Sequence, residues 1–225
     1  MIQPATISFL NNLRKNNNRN WFEEHRKEYE TARADFLQFT QSVIDQFGKK
    51  EHAIAELQAK NCMFRINRDV RFSKNKDPYK TNFAAVFSKG GKKSGLAGYY
   101  LHLEYNRLMM GGGVWMPENI QVQKIRQEID YNWNEFENII RNKSFQKVYG
   151  DLYMGSDVKL TRPPRGYEAD NPAIEYLKLK SWIVTLDLNN ETLSSKDLLK
   201  IITANFTELQ PLVAFINQAL EDTES

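Results

Sequence analysis

Hydrophobic residues near the amino terminus recur at the spacing of amphipathic helices. Ile7, Leu10 and Leu13 lie three residues apart and predict a short first helix. Asn20 has the side chain of an N-cap, and a periodic apolar face then continues as far as Gly48. We therefore expect a long second helix that begins at Asn20 and ends before Gly48 as its C-terminal glycine.

From Cys62 onward the hydrophobic period changes from the helical value to two. Apolar residues alternate with polar ones over residues 62–72, as expected for a strand with one buried face. The same alternation covers residues 99–105, and Asn106-Arg107 suits a tight turn that leads back into residues 108–115. These patterns predict a sheet that contains a β-hairpin.

Helices and strands come in blocks rather than in strict alternation, which favours an α+β fold. We expect a mostly antiparallel sheet packed against several helices, with helical amino and carboxyl termini. At 225 residues the chain is expected to form a single domain, residues 1–225. Its predicted parts are amino-terminal helices at 1–50, a sheet core at about 60–116, a helical segment at about 117–150, a last strand at about 180–188 and a terminal helix at about 195–220.

The composition is that of a globular protein in a reducing compartment. Hydrophobic residues make up 41% of the chain and charged residues 26%, which excludes disordered and fibrous classes. The single cysteine, Cys62, excludes an internal disulfide and a zinc site built from several thiolates. The first residues lack the pattern of a signal peptide, and no apolar run is long enough to span a bilayer. We expect a cytoplasmic protein that does not enter membranes.

Positive charge is concentrated in one segment, residues 60–93. This segment holds ten Lys and Arg residues and two Asp residues, so the remainder of the chain is net negative although the whole chain carries +3. A phosphorylated or otherwise anionic small molecule is the partner that this distribution favours.

A candidate anion site lies within that basic segment. On a strand, alternate residues from Arg65 to Arg71 project from one face about 7 Å apart, and arginine forks can grip phosphate oxygens bidentately. Asp69 would hold one arginine in place. The expected ligand-binding residues of this segment are Arg65, Arg68, Asp69, Arg71, Lys76, Tyr79 and Lys80.

Two alternatives to a small-molecule site remain open at the level of sequence. The first is a nucleic-acid-binding module that uses residues 60–93 as a ribbon along the phosphate backbone. The second is a structural ion-pair network without a ligand, in which the arginines pair with carboxylates of the helix that begins at Asn20 and with Glu104. Residue spacing does not separate these alternatives, and it leaves the oligomeric state unknown.

The sequence leaves enzymatic activity open. Phosphoryl transfer or phosphate-ester hydrolysis is the natural class for an arginine-rich site, with Asp69 as the local candidate for a catalytic base. His102 and Glu104 share one strand face and form a weaker candidate for acid–base work. We expect no metal site and no cofactor, because His25, His52 and His102 each lack a second ligand at metal spacing.

A glycine run follows a predicted strand, as it would in a phosphate-binding loop. Gly111-Gly112-Gly113 lacks the Gly-Lys-Ser or Gly-Lys-Thr that completes a phosphate loop. A strand end or a close approach of two backbones explains such a run better than phosphate binding.

Four ordered motifs resemble one known protein family, the domain of unknown function 2461. They are NNNRNWFEEHRKEYE, FRINRDVRFSKNKDPYKTN, GYYLHLEYNRLMMGGGVWMP and RPPRGYEADNPAIEYLKLKSW. The family pattern falls on Arg65, Arg68, Asp69, Arg71, Phe72, Lys76, Pro78, Tyr79, Lys80, Arg165, Gly166 and Tyr167. The resemblance carries no established activity or catalytic residue. It does imply that RPPRGY belongs with the basic segment, so that Arg162 and Arg165 would close over the same anion.

Overall fold

The structure is a computed structural model that describes residues 1–221, apart from the side chain of Asn190. Its amino-terminal helices are α1 (Pro4–Lys15), α2 (Arg19–Glu24), α3 (Arg26–Phe47) and α4 (Ala59–Cys62), with a short 3₁₀ helix at His52–Ile54. The later helices are α5 (Asn119–Tyr131), α6 (Trp133–Ile140), α7 (Lys143–Tyr149), α8 (Ile174–Leu177), α9 (Asn190–Leu193) and α10 (Leu198–Glu221). The strands are β1 (Asn82–Ser88), β2 (Gly98–Glu104), β3 (Arg107–Val114) and β4 (Trp182–Leu188). The α+β class with helical termini is confirmed.

The strands form one antiparallel sheet in the order β1-β2-β3-β4. The predicted hairpin is confirmed as β2 and β3, and Asn106 in its turn has φ of 55°. Asparagine tolerates this left-handed conformation, which tight hairpin turns require. Strand β4 occupies the segment for which a last strand is expected.

The chain divides into two compact units. The first unit contains Met1–Lys92, Tyr100–Met110 and Asp187–Thr203. The second unit contains Lys93–Tyr99, Gly111–Leu186 and the chain from Ala204. Strands β2, β3 and β4 contribute residues to both. The expectation of a single domain concerns independent folding and stays a prediction.

Aromatic side chains fill the core of the first unit. The Phe83 ring of β1 lies 5.6 Å from the Phe36 ring of α3 and 6.5 Å from the Phe9 ring of α1, measured between centroids. Phe9 and Phe36 are fully buried. Burying rings of this size is the main favourable term for docking α1 and α3 on β1.

The second unit is centred on Trp182 of β4. Its ring is fully buried and its indole N–H donates a hydrogen bond of 3.1 Å to the Tyr176 carbonyl. Phe136 of α6 lies 5.3 Å from both Tyr176 and Phe215, and Tyr99 lies 5.1 Å from Phe206. Helix α10 therefore supplies two of the rings in this core.

The prediction of one helix beginning at Asn20 is wrong in detail. The N-cap is Asn18, whose side chain accepts a hydrogen bond from the Trp21 amide at 3.0 Å, and the helix is interrupted at His25. His25 leaves helical geometry, and its ring nitrogen Nδ1 lies 2.8 Å from the Trp21 carbonyl. A polar side chain that binds its own backbone competes with helix continuation in this way.

The terminal helix expected at about 195–220 is α10, which begins at Leu198 and continues through Pro211. Among the described residues no helix combines the length and the apolar character needed to cross a membrane.

Candidate functional site

The basic segment does not form the strand that its alternation predicts. Helix α4 ends at Cys62, and residues 63–81 take part in two isolated bridges, Met63–Ala85 and Asn67–Tyr79, rather than in a continuous ladder. The predicted buried face fails because Phe64 is 39% exposed and Phe72 is 96% exposed. The segment is instead an irregular hairpin.

Backbone hydrogen bonds hold the two arms of this hairpin together. The Phe64 amide donates to the Ala84 carbonyl at 2.9 Å, and the Lys80 amide donates to the Ile66 carbonyl at 2.8 Å. The Arg68 amide closes the end by donating to the Pro78 carbonyl at 2.9 Å. Residues 68–78 beyond this point form a turn, which we call the basic loop.

Side chains of the basic loop bind the loop itself. The Arg68 guanidinium donates to the Asp77 carbonyl at 3.2 Å and to the Ser73 hydroxyl at 3.3 Å. Lys76 Nζ donates to the Val70 carbonyl at 3.0 Å. Since short polar contacts of this kind satisfy the loop backbone without a neighbouring strand, they explain why the alternating sequence does not continue the sheet.

Asp69 and Arg71 form an exposed ion pair within the same loop. Arg71 Nη2 donates to Asp69 Oδ2 at 2.7 Å, and the Arg71 amide donates to Asp69 Oδ1 at 3.2 Å. The Arg71 guanidinium holds the pKa of the Asp69 carboxyl below its ordinary value. A carboxylate with a lowered pKa and both oxygens engaged is a poor proton acceptor, which argues against Asp69 as a catalytic base.

Arg65 and Lys80 lie near each other at the base of the hairpin, and we call them the cation pair. Burial, with the charge of Arg65 as a second cause, lowers the pKa of Lys80. Lys80 Nζ lies 5.4 Å from the centroid of the Phe64 ring. Over residues 1–221 neither side chain of the pair has a hydrogen bond or an ion pair with a carboxylate. Arg65 is exposed and also lowers the pKa of the Asp69 carboxyl through its charge. The pair is therefore positive charge that is only partly compensated, and Lys80 is its partly buried member.

Tyr79 anchors the second arm of the hairpin. Its ring is buried and stacks on Phe22 with centroids 3.9 Å apart. Its amide donates to Asn17 Oδ1 at 3.1 Å, and Asn17 Nδ2 donates to its carbonyl at 2.9 Å. Because Tyr79 is fixed on both sides, the position of the neighbouring Lys80 backbone is fixed as well.

A second group of polar residues lies on one face of β1 and β2, and we call it the polar face. Its members are Asn82, Tyr100, His102 and Glu104. The His102 side chain is only 12% exposed. The Tyr100 hydroxyl lies 3.1 Å from His102 Nδ1, Asn82 Nδ2 lies 3.0 Å from Nε2, and Glu104 Oε2 lies 3.8 Å from Nε2.

Burial is the main influence on proton binding at the polar face. It lowers the pKa of His102, although the Glu104 carboxylate acts in the opposite direction. Burial also raises the pKa of the Tyr100 hydroxyl. Arg107 forms ion pairs with two carboxylates and so partly neutralises Glu104. Its guanidinium lies 3.3 Å from Glu104 Oε1 and 2.7 Å from Asp187 Oδ1. The lowered pKa favours the neutral form of His102, in which one ring nitrogen carries no proton.

Sequence reasoning identified part of this face. The alternation of β2 places His102 and Glu104 on one side, but it does not indicate Asn82 or Asp187, which come from other strands. Phe64 connects the two sites, because its ring lies 6.4 Å from Tyr100 and beneath Lys80.

Arg165 lies in the second unit, on the turn that precedes Tyr167. Its side chain is exposed, and Gly166 beside it has φ of 91°. The Tyr167 amide donates to the Pro164 carbonyl at 3.2 Å. Closure of Arg162 and Arg165 over an anion held by the first unit stays a prediction.

The glycine run is explained by close backbone packing. A Cβ atom on Gly111 would lie 2.1 Å from the Val184 carbonyl oxygen, and one on Gly113 would lie 2.0 Å from that of Trp182. Only glycine allows β3 and β4 to approach so closely. The expectation of a close backbone approach is confirmed.

A surface groove in the second unit offers a different environment. Its lining includes Glu135, Asn142, Ser144 and Glu208, and the Ser144 hydroxyl bonds the Glu208 carboxylate. Two carboxylates repel an anion, so this groove does not compete with the cation pair as an anion site.

Comparison with known proteins identifies the family but adds no related structure. Searches of curated proteins and of solved structures gave no match. A family model described as conserved hypothetical protein, domain of unknown function 2461, matches residues 5–215. The chain therefore belongs to the domain of unknown function 2461 family, as its four motifs predict.

Proposed function

We propose that this protein binds a phosphorylated or otherwise anionic small molecule through Arg65 and Lys80. The observation that carries the proposal is the cation pair itself. Two like charges lie near each other, one of them partly buried, and no carboxylate in the described chain forms an ion pair with either. Such an arrangement is costly without a ligand, and a bound anion would relieve both the repulsion and the desolvation.

The chemistry of the two side chains suits phosphate. Arginine presents a planar fork that can bind two oxygens at once, and lysine adds a mobile point charge. Charge-assisted hydrogen bonds contribute about 1.5–3 kcal/mol each, from which the cost of association is subtracted. The expected dissociation constant is about micromolar to millimolar.

The proposal keeps Arg68, Arg71 and Lys76 as supporting cations. Their side chains are already bonded within the basic loop, so an anion would have to share or replace those partners. Arg65 and Lys80 have no such partner to give up. They are the two residues whose loss should weaken binding most.

His102 extends the proposal toward catalysis. A neutral imidazole can accept a proton from water or a hydroxyl group, whereas the lowered pKa of the ion-paired Asp69 makes it a poorer proton acceptor. Phosphate-ester hydrolysis and phosphoryl transfer are the reaction classes that combine cations around phosphate with such a base. In this proposal His102 replaces Asp69 as the candidate base.

We also infer that the protein works in the cytoplasm. The inference rests on the single cysteine, Cys62, which is buried and whose thiol pKa burial raises to about 11. A buried thiol of this kind behaves as a small apolar residue and needs no oxidising compartment.

Thermal unfolding with added inorganic phosphate tests the proposal. At ten times the dissociation constant, a ligand adds about 1.4 kcal/mol of stability, or about 3–5 °C in Tm for a chain of this size. Sodium chloride at equal ionic strength should give a smaller shift. Arg65→Ala and Lys80→Met should remove the phosphate-specific increment, whereas Lys49→Ala, which removes one exposed charge elsewhere in the first unit, should keep it.

The matched variant makes the outcome decisive. If phosphate raises the Tm of Arg65→Ala and Lys80→Met as much as that of the wild type, the anion binds elsewhere and the proposal is wrong. Sulfate and a nucleoside monophosphate, measured in the same way, would report whether the organic part of a phosphorylated ligand adds affinity.

A further inference from the structure

Phe72 is the most exposed large apolar residue of the described chain, with 96% of its surface accessible. It lies in the basic loop, next to Arg71, whose guanidinium carbon is 5.8 Å from the centroid of its ring. Exposure of a phenylalanine ring to water is unfavourable, and burying the ring against a partner would lower the free energy. A ring held out in this manner is available for contact with a partner.

The loop that carries Phe72 is braced from within. Arg68 fastens its two ends through Asp77 and Ser73, Asp69 binds both the amide and the guanidinium of Arg71, and Lys76 binds the backbone of the opposite side. A loop whose polar side chains are used in this way loses little conformational entropy on binding. Phe72 is therefore presented on a preorganised support.

An aromatic ring with a cation over it occurs twice in this part of the first unit. Arg71 lies over Phe72, and Lys80 lies over the partly exposed Phe64. Lys74, which lies between Phe72 and Lys80 in the sequence, adds an exposed positive charge. Alternating aromatic faces and cations match a ligand that alternates flat rings with phosphates.

We propose that the basic loop is a contact site for single-stranded nucleic acid, with Phe72 as a platform on which an unpaired base stacks. Lys74 would contact the phosphate on one side, and Arg71 would contact the other while it stays bonded to Asp69. This inference goes beyond the binding of a small anion, because it needs an exposed aromatic ring and a polymer. It does not depend on the cation pair being the site of a small ligand.

Single strands fit the loop better than duplexes do. Bases of a duplex are stacked on one another and leave no face for Phe72, whereas each base of a single strand has a free π-face. One loop is too short to track a duplex backbone over several turns. Stacking on a phenylalanine ring does not read the base, so the expected binding is tolerant of sequence.

Fluorescence anisotropy of a labelled oligothymidylate, titrated with the full chain at low salt, tests the proposal. Phe72→Ala should weaken binding about tenfold, the scale of one stacked base. Phe72→Trp should retain binding, because it keeps the aromatic face. The matched control is Tyr131→Ala, which removes another exposed aromatic ring, 75% accessible and in the second unit. Affinity should fall as salt rises, with a log–log slope of about −0.7 per phosphate contact.

Four results would overturn the proposal, and the first three concern binding of the single strand. They are the absence of binding at low salt, equal binding by wild type and Phe72→Ala, and an equal loss in Phe72→Ala and Tyr131→Ala. A duplex or heparin that competes as well as the single strand would also overturn it, since charge alone would then explain the affinity. Because the Phe72 ring is exposed, Phe72→Ala should fold with an unchanged Tm. Inorganic phosphate should still stabilise this variant, so failure of one proposal can be distinguished from failure of the other.

Discussion

His102 shows how a single residue can make stability depend on pH. Burial lowers its pKa below the ordinary value of 6.5, so between the two values the unfolded chain binds more protons than the folded chain. The free energy of unfolding should therefore fall as the pH drops through this window. Glu104 and Asp187 act against this effect, and Arg107 reinforces it.

The variant His102→Gln should flatten that pH dependence. Urea unfolding measured between pH 7 and pH 5 should show a smaller loss of stability in His102→Gln than in the wild type. His52→Gln, which changes an exposed histidine in the first unit, should lose as much stability as the wild type does. If all three proteins have parallel profiles, His102 is not the group that titrates.

Asn17 is a second residue with an effect beyond its own position. Its side chain both accepts from the Tyr79 amide and donates to the Tyr79 carbonyl, and these bonds tie the chain between α1 and α2 to the second arm of the hairpin. Asn17→Ala leaves partly buried backbone groups without their partner and should cost about 1–3 kcal/mol.

Urea unfolding with hydrogen exchange at Tyr79 and Lys80 would measure this effect. Exchange at both amides should become faster in Asn17→Ala. Asn16→Ala is the matched control, because the Asn16 side chain bonds only its own helix, at the Asn12 carbonyl. Equal losses of stability in the two variants would contradict the proposed tie.

At the scale of elements, the contact between β3 and β4 depends on Gly113. Gly113→Ala would place a Cβ atom against the Trp182 carbonyl oxygen and would also strain a residue whose φ is 112°. Gly166→Ala has a similar strain, with φ of 91°, but the added atom would meet open space. Both substitutions lie in the second unit.

Gly113→Ala should therefore be less stable than Gly166→Ala by about 2 kcal/mol or more, because overpacking against backbone adds to the cost of the strained φ. This corresponds to a difference of about 4–8 °C in Tm. Thermal unfolding of the two variants measures it. Similar melting temperatures would mean that the strands separate easily at this point.

The elements also show which local structure can be read from sequence. The β2–β3 hairpin was predictable because its alternation is backed by Asn106, a residue that suits the turn. Residues 62–72 alternate in the same way, yet they form an irregular hairpin, because Arg68, Asp69 and Lys76 bond their own loop instead of facing a neighbouring strand. A period of two in the sequence shows which residues are apolar. It does not show which groups the polar side chains between them will bond.

At the scale of the whole molecule, the sequence showed where the positive charge is concentrated, but it did not show which cations have bonding partners. The predicted set contained both Arg65 and Lys80 among several other cations. These two differ from Arg68, Arg71 and Lys76 through the hairpin register, which sets Ile66 opposite Lys80, and through the partners that those three cations find within the basic loop. Contacts between residues that are far apart in the chain cannot be inferred from residue spacing. The sequence therefore could not distinguish a structural ion-pair network from a site for an anionic ligand.

The pKa of Lys80 is the quantity that tests the proposed anion site most directly. An anion bound to the cation pair favours the charged ammonium, so saturating phosphate should raise this pKa from its lowered value. NMR titration of the lysine side chains can measure it, with the Lys80 resonance assigned through Lys80→Arg and Lys49 as the exposed reference. We predict that phosphate raises the pKa of Lys80 and that Arg65→Ala weakens this response. A Lys80 resonance and pKa that phosphate does not alter would contradict the anion site.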